Sequence, residues 1–265
     1  MKDDGRKNVE NHRVVAHEEW LAARRELLAK EKELTRLRDE LSAQRRQLPW
    51  EKVTTDYRFV TAEGREVSLA QLFDGKRQLV VYHAMFHPHK ATAKTHWTQD
   101  AACKMCSFWM DNFNGVTAHL AARDVTILAA SAAPADKIAA YRRRMGWSFP
   151  WVSTAGTTFN RDYAVGFSDE EVATKSATYN YEGGRSVAAE MPGVSVFYRD
   201  DAGHIFHTYS TYERGLDILN VAYQYLDLVP KGRDEGADAN GVSWVRRHDE
   251  YEAPSSTIAA LHATT

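Results

Sequence analysis

Two apolar runs, Leu79 to Phe86 and Val125 to Ala130, read as buried strands, and each is followed by apolar residues at helical spacing. After the first come Phe108, Trp109, Phe113, Val116 and Leu120. After the second comes a helix from about Pro134 to Met145, whose exposed face would carry Arg142 to Arg144. Strand, helix, strand, helix implies parallel strands joined by crossovers, hence an α/β fold with a central sheet covered by helices. Shorter strand-like pieces, Asp56 to Thr61 and Glu66 to Ser68, precede this unit. Beyond the aromatic stretch Trp147 to Trp151 the pattern weakens until Val194 to Tyr198 and His204 to Tyr209. These flank Asp200-Asp201-Ala202-Gly203 and predict a β-hairpin, with an amphipathic helix from Gly215 to Leu228 after it.

From about His17 to Gln47 the chain is highly charged and lacks Gly and Pro, and Trp20, Leu27, Leu34 and Leu41 stand seven apart. This is one stripe of a long helix, which Pro49 ends. Three residues beyond each stand Ala23, Lys30, Leu37 and Gln44, so half of the second seam of a coiled coil is polar. The stripe is expected to pack on the domain or on a twin subunit, and a homodimer through this helix is the expectation carried forward. Residues 1–50 then form a helical extension, 51–230 the main domain and 231–265 a Gly-, Asp- and Ser-rich tail, within which Trp244 to Tyr251 could dock. A net charge of −2 offers no field to attract nucleic acid or an anionic membrane. A small molecule or a thiol or disulfide substrate is the expected partner. No stretch reads as a secretory leader or a membrane span, so a cytoplasmic location, where thiols stay reduced, is expected.

The chain has two cysteines, Cys103 and Cys106, in a Cys-Lys-Met-Cys motif at a loop-to-helix junction after the first buried strand. A thiol at a helix N-terminus is stabilised as thiolate, which makes Cys103 the expected nucleophile, with Lys104 adding a positive charge. Cys106, one turn on, is placed to attack a mixed disulfide and resolve it. The same pair could form half of a zinc site, and with no second cysteine pair histidines would have to complete it. His83, His87, His89 and His96 lie near the cysteines in sequence, and His204 and His207 lie on the hairpin. Thiolate and imidazole together suit Cu(I) or Zn(II). Alternation along an extended segment would put His87 and His89 on one side, and His207 is the best distant candidate. His83, inside a buried strand, reads as a core histidine. Three functions follow: a dithiol oxidoreductase, a copper- or zinc-dependent oxidase or metal carrier using Cys103, Cys106, His87, His89 and His207, and a non-catalytic dimeric binding module.

Strand, Cys-x-x-Cys helix, strand, helix, then Met191-Pro192 ahead of a hairpin resembles the thioredoxin superfamily. That resemblance implies a thioredoxin-like fold, a central mixed sheet flanked by helices, here with a long N-terminal helix. It also implies that Pro192 is a cis-proline facing the cysteines and belongs to the site. Val67-Ser68-Leu69 with Leu72-Phe73-Asp74-Gly75-Lys76 resembles the peroxiredoxin-like branch, but no proline stands where the Pro-x-x-x-Thr/Ser-x-x-Cys signature needs one. More specifically, EEWLAARRELLAKEKELTR, LPWEKV, LVVYHAMF, CSFWMDNFNG, YRRRMGWSFPWVS, GVSVFYRD, HTYSTYERGLD and RRHDEY resemble, in this order, the thioredoxin-like family catalogued as domain of unknown function 899. The likeness runs from about Glu18 to Tyr251. Members of that family carry a short Gly-Pro-containing loop and a Cys-Pro-x-Cys-like motif. Here sixteen residues opening with His87-Pro88-His89 precede Cys103, and the motif interior is Lys-Met. The longer loop is read as an adaptation to a substrate or a metal.

Overall fold

Strand β4 (Gln78–His83) is the axis of an eight-stranded sheet in the order β1-β10-β9-β4-β5-β6-β2-β3. The computed structural model describes residues 12–91, 95–235 and 242–252. The start of the helical extension, where a leader would lie, and most of the tail are outside the described residues. β4 runs parallel to β5 (Val125–Ser131), which runs parallel to β6 (Trp151–Ser153). On its other side β4 pairs antiparallel with β9 (Gly193–Arg199), the first strand of a hairpin with β10 (Ile205–Tyr212). This order, with a cysteine-bearing helix between β4 and β5, makes the fold thioredoxin-like. β1 (Glu51–Lys52) closes one edge, and the pair β2 (Arg58–Thr61) and β3 (Glu66–Ser68) closes the other.

Alternation along β4 sorts its side chains onto two cores. Leu79 and Val81 enter the core with Phe59, Phe73, Phe159, Tyr163 and Phe197, whereas Tyr82 and Ala84 enter the core that contains both cysteines. The second of these cores is covered by α3 (Lys104–Met110) and α5 (Ala135–Arg144), which present Cys106, Trp109 and Met110, and Ile138 and Tyr141. The other helices are short: α2 (Leu69–Leu72), α4 (Thr117–Ala121), α6 (Phe159–Asp162) and α7 (Asp169–Thr174).

The expected helix from Gly215 to Leu228 is divided. A 3₁₀ segment, Glu213–Leu219, leads to Asn220 in extended conformation, whose side chain accepts from Tyr223 N–H at 3.2 Å and starts α8 (Val221–Leu226). An asparagine there caps better than it continues a helix. The small hairpin of β7 (Ala177–Tyr179) and β8 (Glu182–Arg185) has no clear sequence signal. Its turn residues Asn180 and Tyr181 both have positive φ, and tyrosine rarely marks such a turn.

The N-terminal helix α1 (His17–Arg46) forms as expected, but none of its residues is buried. Near its C-terminal end Arg45 stacks over Tyr209 at 5.5 Å, while Trp20, Leu27, Leu34 and Leu41 stay about half exposed. Packing of the stripe on its own domain, one of the two expectations, is not what the structure shows. No helix among the described residues is long and apolar enough to cross a membrane.

Candidate functional site

The chain leaves β4 and returns to it at a single residue. Met85 O accepts from Cys103 N–H at 2.9 Å, and Met85 N–H donates to Cys106 Sγ at 3.3 Å. Cys103 caps the start of α3, and its own carbonyl accepts from both the N–H and the hydroxyl of Ser107, each at 2.9 Å. Ser107 Oγ in turn meets the Tyr141 hydroxyl at 2.8 Å. Both thiols are free, and each residue is only 1% exposed.

The two thiols differ in what surrounds them. Burial would raise Cys103, but hydrogen bonds from the Cys106 thiol and from the N–H groups of Cys106 and Met105, with the charge of Arg247, outweigh it and lower its pKa. Cys106 is pushed well up, first by burial and then by its neighbour Cys103, against weaker help from Met85 N–H and the Tyr82 hydroxyl. Hydrogen bonds to a charged group are worth about 1.5–3 kcal/mol each, so three donors can offset the several kcal/mol that burying one charge costs, whereas two facing a second sulfur charge cannot. The arrangement favours the thiolate at Cys103 and the protonated thiol at Cys106.

Arg247 is a site residue that the motif reading missed. It is 8% exposed, donates to Ala102 O at 2.7 Å, and lies 6.0 Å from the Tyr141 ring. It arrives on the C-terminal stretch expected to dock, and the string RRHDEY was its signal. That stretch is tied down by a fork from Arg144 to Asp249, at 2.7 and 3.0 Å, and by Arg144 to Glu250 at 3.0 Å. His248 meets Asp111 at 2.6 Å, and Trp244 packs edge-on against Phe108 of α3. Arg144, expected on a solvated helix face, is therefore the clamp of the segment that carries Arg247 to Ala102, next to Cys103.

Glu190 is the second residue missed. It is 2% exposed, and three N–H groups donate to it: Phe86 at 2.7 Å, Ala132 at 3.0 Å and the Asn160 side chain at 2.9 Å. It thus joins the loops after β4 and β5 beside the residue that holds both cysteines. Burial exceeds the effect of these donors and raises its carboxyl to about 7. A lone acid in the apolar stretch Val187-Ala188-Ala189-Glu190-Met191 was the available clue.

The histidines do not join the thiols. His83 and His207 project to the opposite face of the sheet, where His207 packs on Tyr163 and Phe197. A buried polar chain links them: His83 Nε2 to Ser195 Oγ at 2.9 Å, Ser195 to Ser210 at 2.9 Å, and Ser210 to His207 Nε2 at 2.7 Å. Burial lowers the pKa of both, His83 to about 3. His207 is accordingly no partner of Cys103 or Cys106: strand alternation assigns it to the other core. His87 and His89 do come near each other, with rings 6.3 Å apart, but on a 3₁₀ turn, Pro88–Lys90, and not on an extended segment. The loop instead buries Trp97, whose indole donates to His87 O at 3.0 Å. Among the described residues no three His, Cys, Asp or Glu side chains converge to hold a metal ion, so the ligand set for Cu(I) or Zn(II) is not assembled. Pro192 immediately precedes β9, as the thioredoxin resemblance requires, but its peptide bond is trans, and its carbonyl accepts from the Tyr179 hydroxyl at 2.7 Å.

Residues 9–251 match the family described as bacterial protein of unknown function, DUF899, and the chain belongs to that family. No curated protein matches it. Similar solved structures include the peroxidoxin BcpB of Mycobacterium tuberculosis, with 13% identity over 67% of this chain and 97% of that one, at a TM-score of 0.42. A mutant PrxQ of Xylella fastidiosa shares 11% identity over 66% and 95% at 0.40. The mitochondrial 2-cys peroxiredoxin of Plasmodium falciparum shares 11% over 68% and 92% at 0.36. The fold assignment stands on the strand order, and these likenesses add nothing about chemistry.

Two outcomes follow from this geometry. Arg144→Ala removes the clamp at a distance from the thiols, so native-state labelling of the cysteines by an uncharged alkylating agent should quicken several-fold with unchanged far-UV circular dichroism. An unchanged rate would mean that the C-terminal segment does not guard them. For Glu190, the folded-state pKa of about 7 lies above the ordinary 4.5. Its contribution to stability is therefore full below pH 4.5 and lost as pH rises through 7. Glu190→Gln, whatever constant cost it carries, should abolish a pH-dependent loss on the order of 1–3 kcal/mol between pH 5 and pH 8 in denaturant titrations. Equal pH dependence in parent and variant would contradict a titrating Glu190.

Proposed function

We propose that this protein is a dithiol oxidoreductase in which Cys103 is the nucleophile and Cys106 the resolving thiol. The observation that carries the reading is the asymmetry of the pair: three hydrogen-bond donors and Arg247 lower Cys103 in spite of its burial, while burial and the neighbouring Cys103 push Cys106 up. With a disulfide substrate, the Cys103 thiolate attacks one sulfur, forming a mixed disulfide and releasing the other sulfur as a thiolate that takes up a proton. Cys106 then loses its proton and attacks Cys103 Sγ, expelling the second substrate thiolate and closing a Cys103–Cys106 disulfide. Two thiols are oxidised and one substrate disulfide is reduced to two thiols. With a hydroperoxide the same pair would give a sulfenic acid at Cys103, releasing the alcohol or water, and then the same disulfide with loss of water.

The remaining residues have supporting parts. Met85 holds the Cys106 sulfur through its N–H and the Cys103 backbone N–H through its carbonyl, and the Tyr82 hydroxyl faces Cys106 from β4. Arg247 favours negative charge at Cys103. Both thiols are shut from solvent, and movement of the segment from 244 to 251, whose Arg247 reaches Ala102 beside Cys103, is the opening proposed to admit substrate.

The test is reaction of the reduced protein with oxidised glutathione, followed by intact mass. The parent should lose two hydrogens as the internal disulfide forms. Cys106→Ser should accumulate one glutathione on Cys103, and Cys103→Ser should lose nearly all reactivity. Turnover by Cys103→Ser at the parent rate, or neither a mixed disulfide on Cys106→Ser with any disulfide tried nor a sulfenic acid with any peroxide tried, would overturn the proposal.

A further inference from the structure

Among the described residues, the apolar stripe of the longest element, α1, is left uncovered. α1 spans 30 residues, about 45 Å at 1.5 Å per residue. Its apolar stripe of Trp20, Leu27, Leu34 and Leu41 is between 44% and 56% exposed, and Leu37 in the adjoining seam is 59% exposed. A helix of this length with an uncovered apolar stripe is not expected to stand alone in water.

The charges beside the stripe identify what covers it. With Trp20, Leu27, Leu34 and Leu41 as one seam position, the position just before each is Glu19, Glu26, Glu33 and Glu40, acidic in every heptad. On the opposite flank, four residues after each, stand Arg24, Glu31, Arg38 and Arg45. Two copies in parallel register bring each first flank against the second flank of the next heptad on the other helix. Glu19 then faces Arg24, Glu33 faces Arg38 and Glu40 faces Arg45, each twice by symmetry, and Glu26 facing Glu31 is the only like-charged match. An antiparallel pair would instead set the four glutamates of one helix against those of the other. Polar Lys30 and Gln44 in the second seam cost some stability, as such residues do where they fix register. The domain leaves the seam itself open. The half-buried residues near the helix C-terminus are Ser42 and Ala43, on the face away from the seam, and Arg45 on the second flank, whose contact with Tyr209 of its own domain competes with the Glu40 pair.

We propose that α1 is a dimerisation helix that pairs in parallel with α1 of a second copy of this chain, Trp20, Leu27, Leu34 and Leu41 meeting their symmetry mates. The pairing sets both domains at the same end of the helix pair, each against the outer face of its own helix.

Two measurements on the full chain test it. Light scattering should give the mass of a dimer for the parent and of a monomer for the double variant Leu27→Asp with Leu34→Asp. A monomeric parent at tens of micromolar, or a variant that stays dimeric, would overturn the proposal. Ala23, small and in the second seam, reports orientation. Ala23→Cys should form an intermolecular disulfide under mild oxidation in most of the protein, which the parent with its two buried thiols should not. A dimer that fails to cross-link at position 23 would overturn the parallel arrangement. The cross-link keeps the idea testable should the double variant fail to fold.

Discussion

The backbone of one residue, Met85, holds the chemistry of this protein together. Its carbonyl receives the Cys103 N–H and its N–H reaches Cys106 Sγ, so the first turn of α3 is fastened to the end of β4 at both cysteines. The strand is rigid because it lies between β5 and β9 in the middle of the sheet. Everything that fixes Met85 therefore fixes the thiols. Glu190 does so from below by binding Phe86 N–H and tying it to the loop after β5. Tyr82 does so from within the strand, its ring packing edge-on against Phe113 while its hydroxyl faces Cys106.

The same construction explains why a reactive pair can be buried. A thiolate without water needs donors, and Cys103 finds them in the first turn of its own helix and in the Cys106 thiol. Arg247 adds a full positive charge, carried on a segment distant in sequence whose attachment runs through Arg144, Asp249 and Glu250. Electrostatic support thus comes from a docked element, so moving that element withdraws part of the support. A C-terminal segment docked through partly exposed ion pairs is the kind of element that opens locally without unfolding the rest.

Much of this was legible in the residues and some was not. The two buried strands, the hairpin, the long N-terminal helix and the cysteine motif at a loop-to-helix junction follow from periodicity and composition, because each is a local pattern. His207 was misjudged because sequence gives a residue's strand but not its face relative to a distant helix. One step of register separates the cysteine core from the core in which His207 lies. Arg247 and Glu190 were missed for a different reason. Their partners, Ala102, Phe86 and Ala132, are backbone groups far away in sequence, and backbone groups carry no residue-type signal. Arg144 was read as solvent-facing because a charged residue in the last turn of a helix usually is, and only the docked tail gives it a task.

The claim on which the account rests is that Cys103 is a stabilised thiolate paired with a protonated Cys106. Its most direct test is the rate of iodoacetamide labelling of each cysteine in the native, reduced protein as a function of pH, resolved by peptide mapping. The account predicts that Cys103 titrates below an ordinary thiol and is labelled first, with Cys106 reacting appreciably only at alkaline pH or after Cys103 is blocked. Preferential labelling of Cys106 at mildly acidic pH, or two thiols titrating alike near the ordinary value, would contradict it.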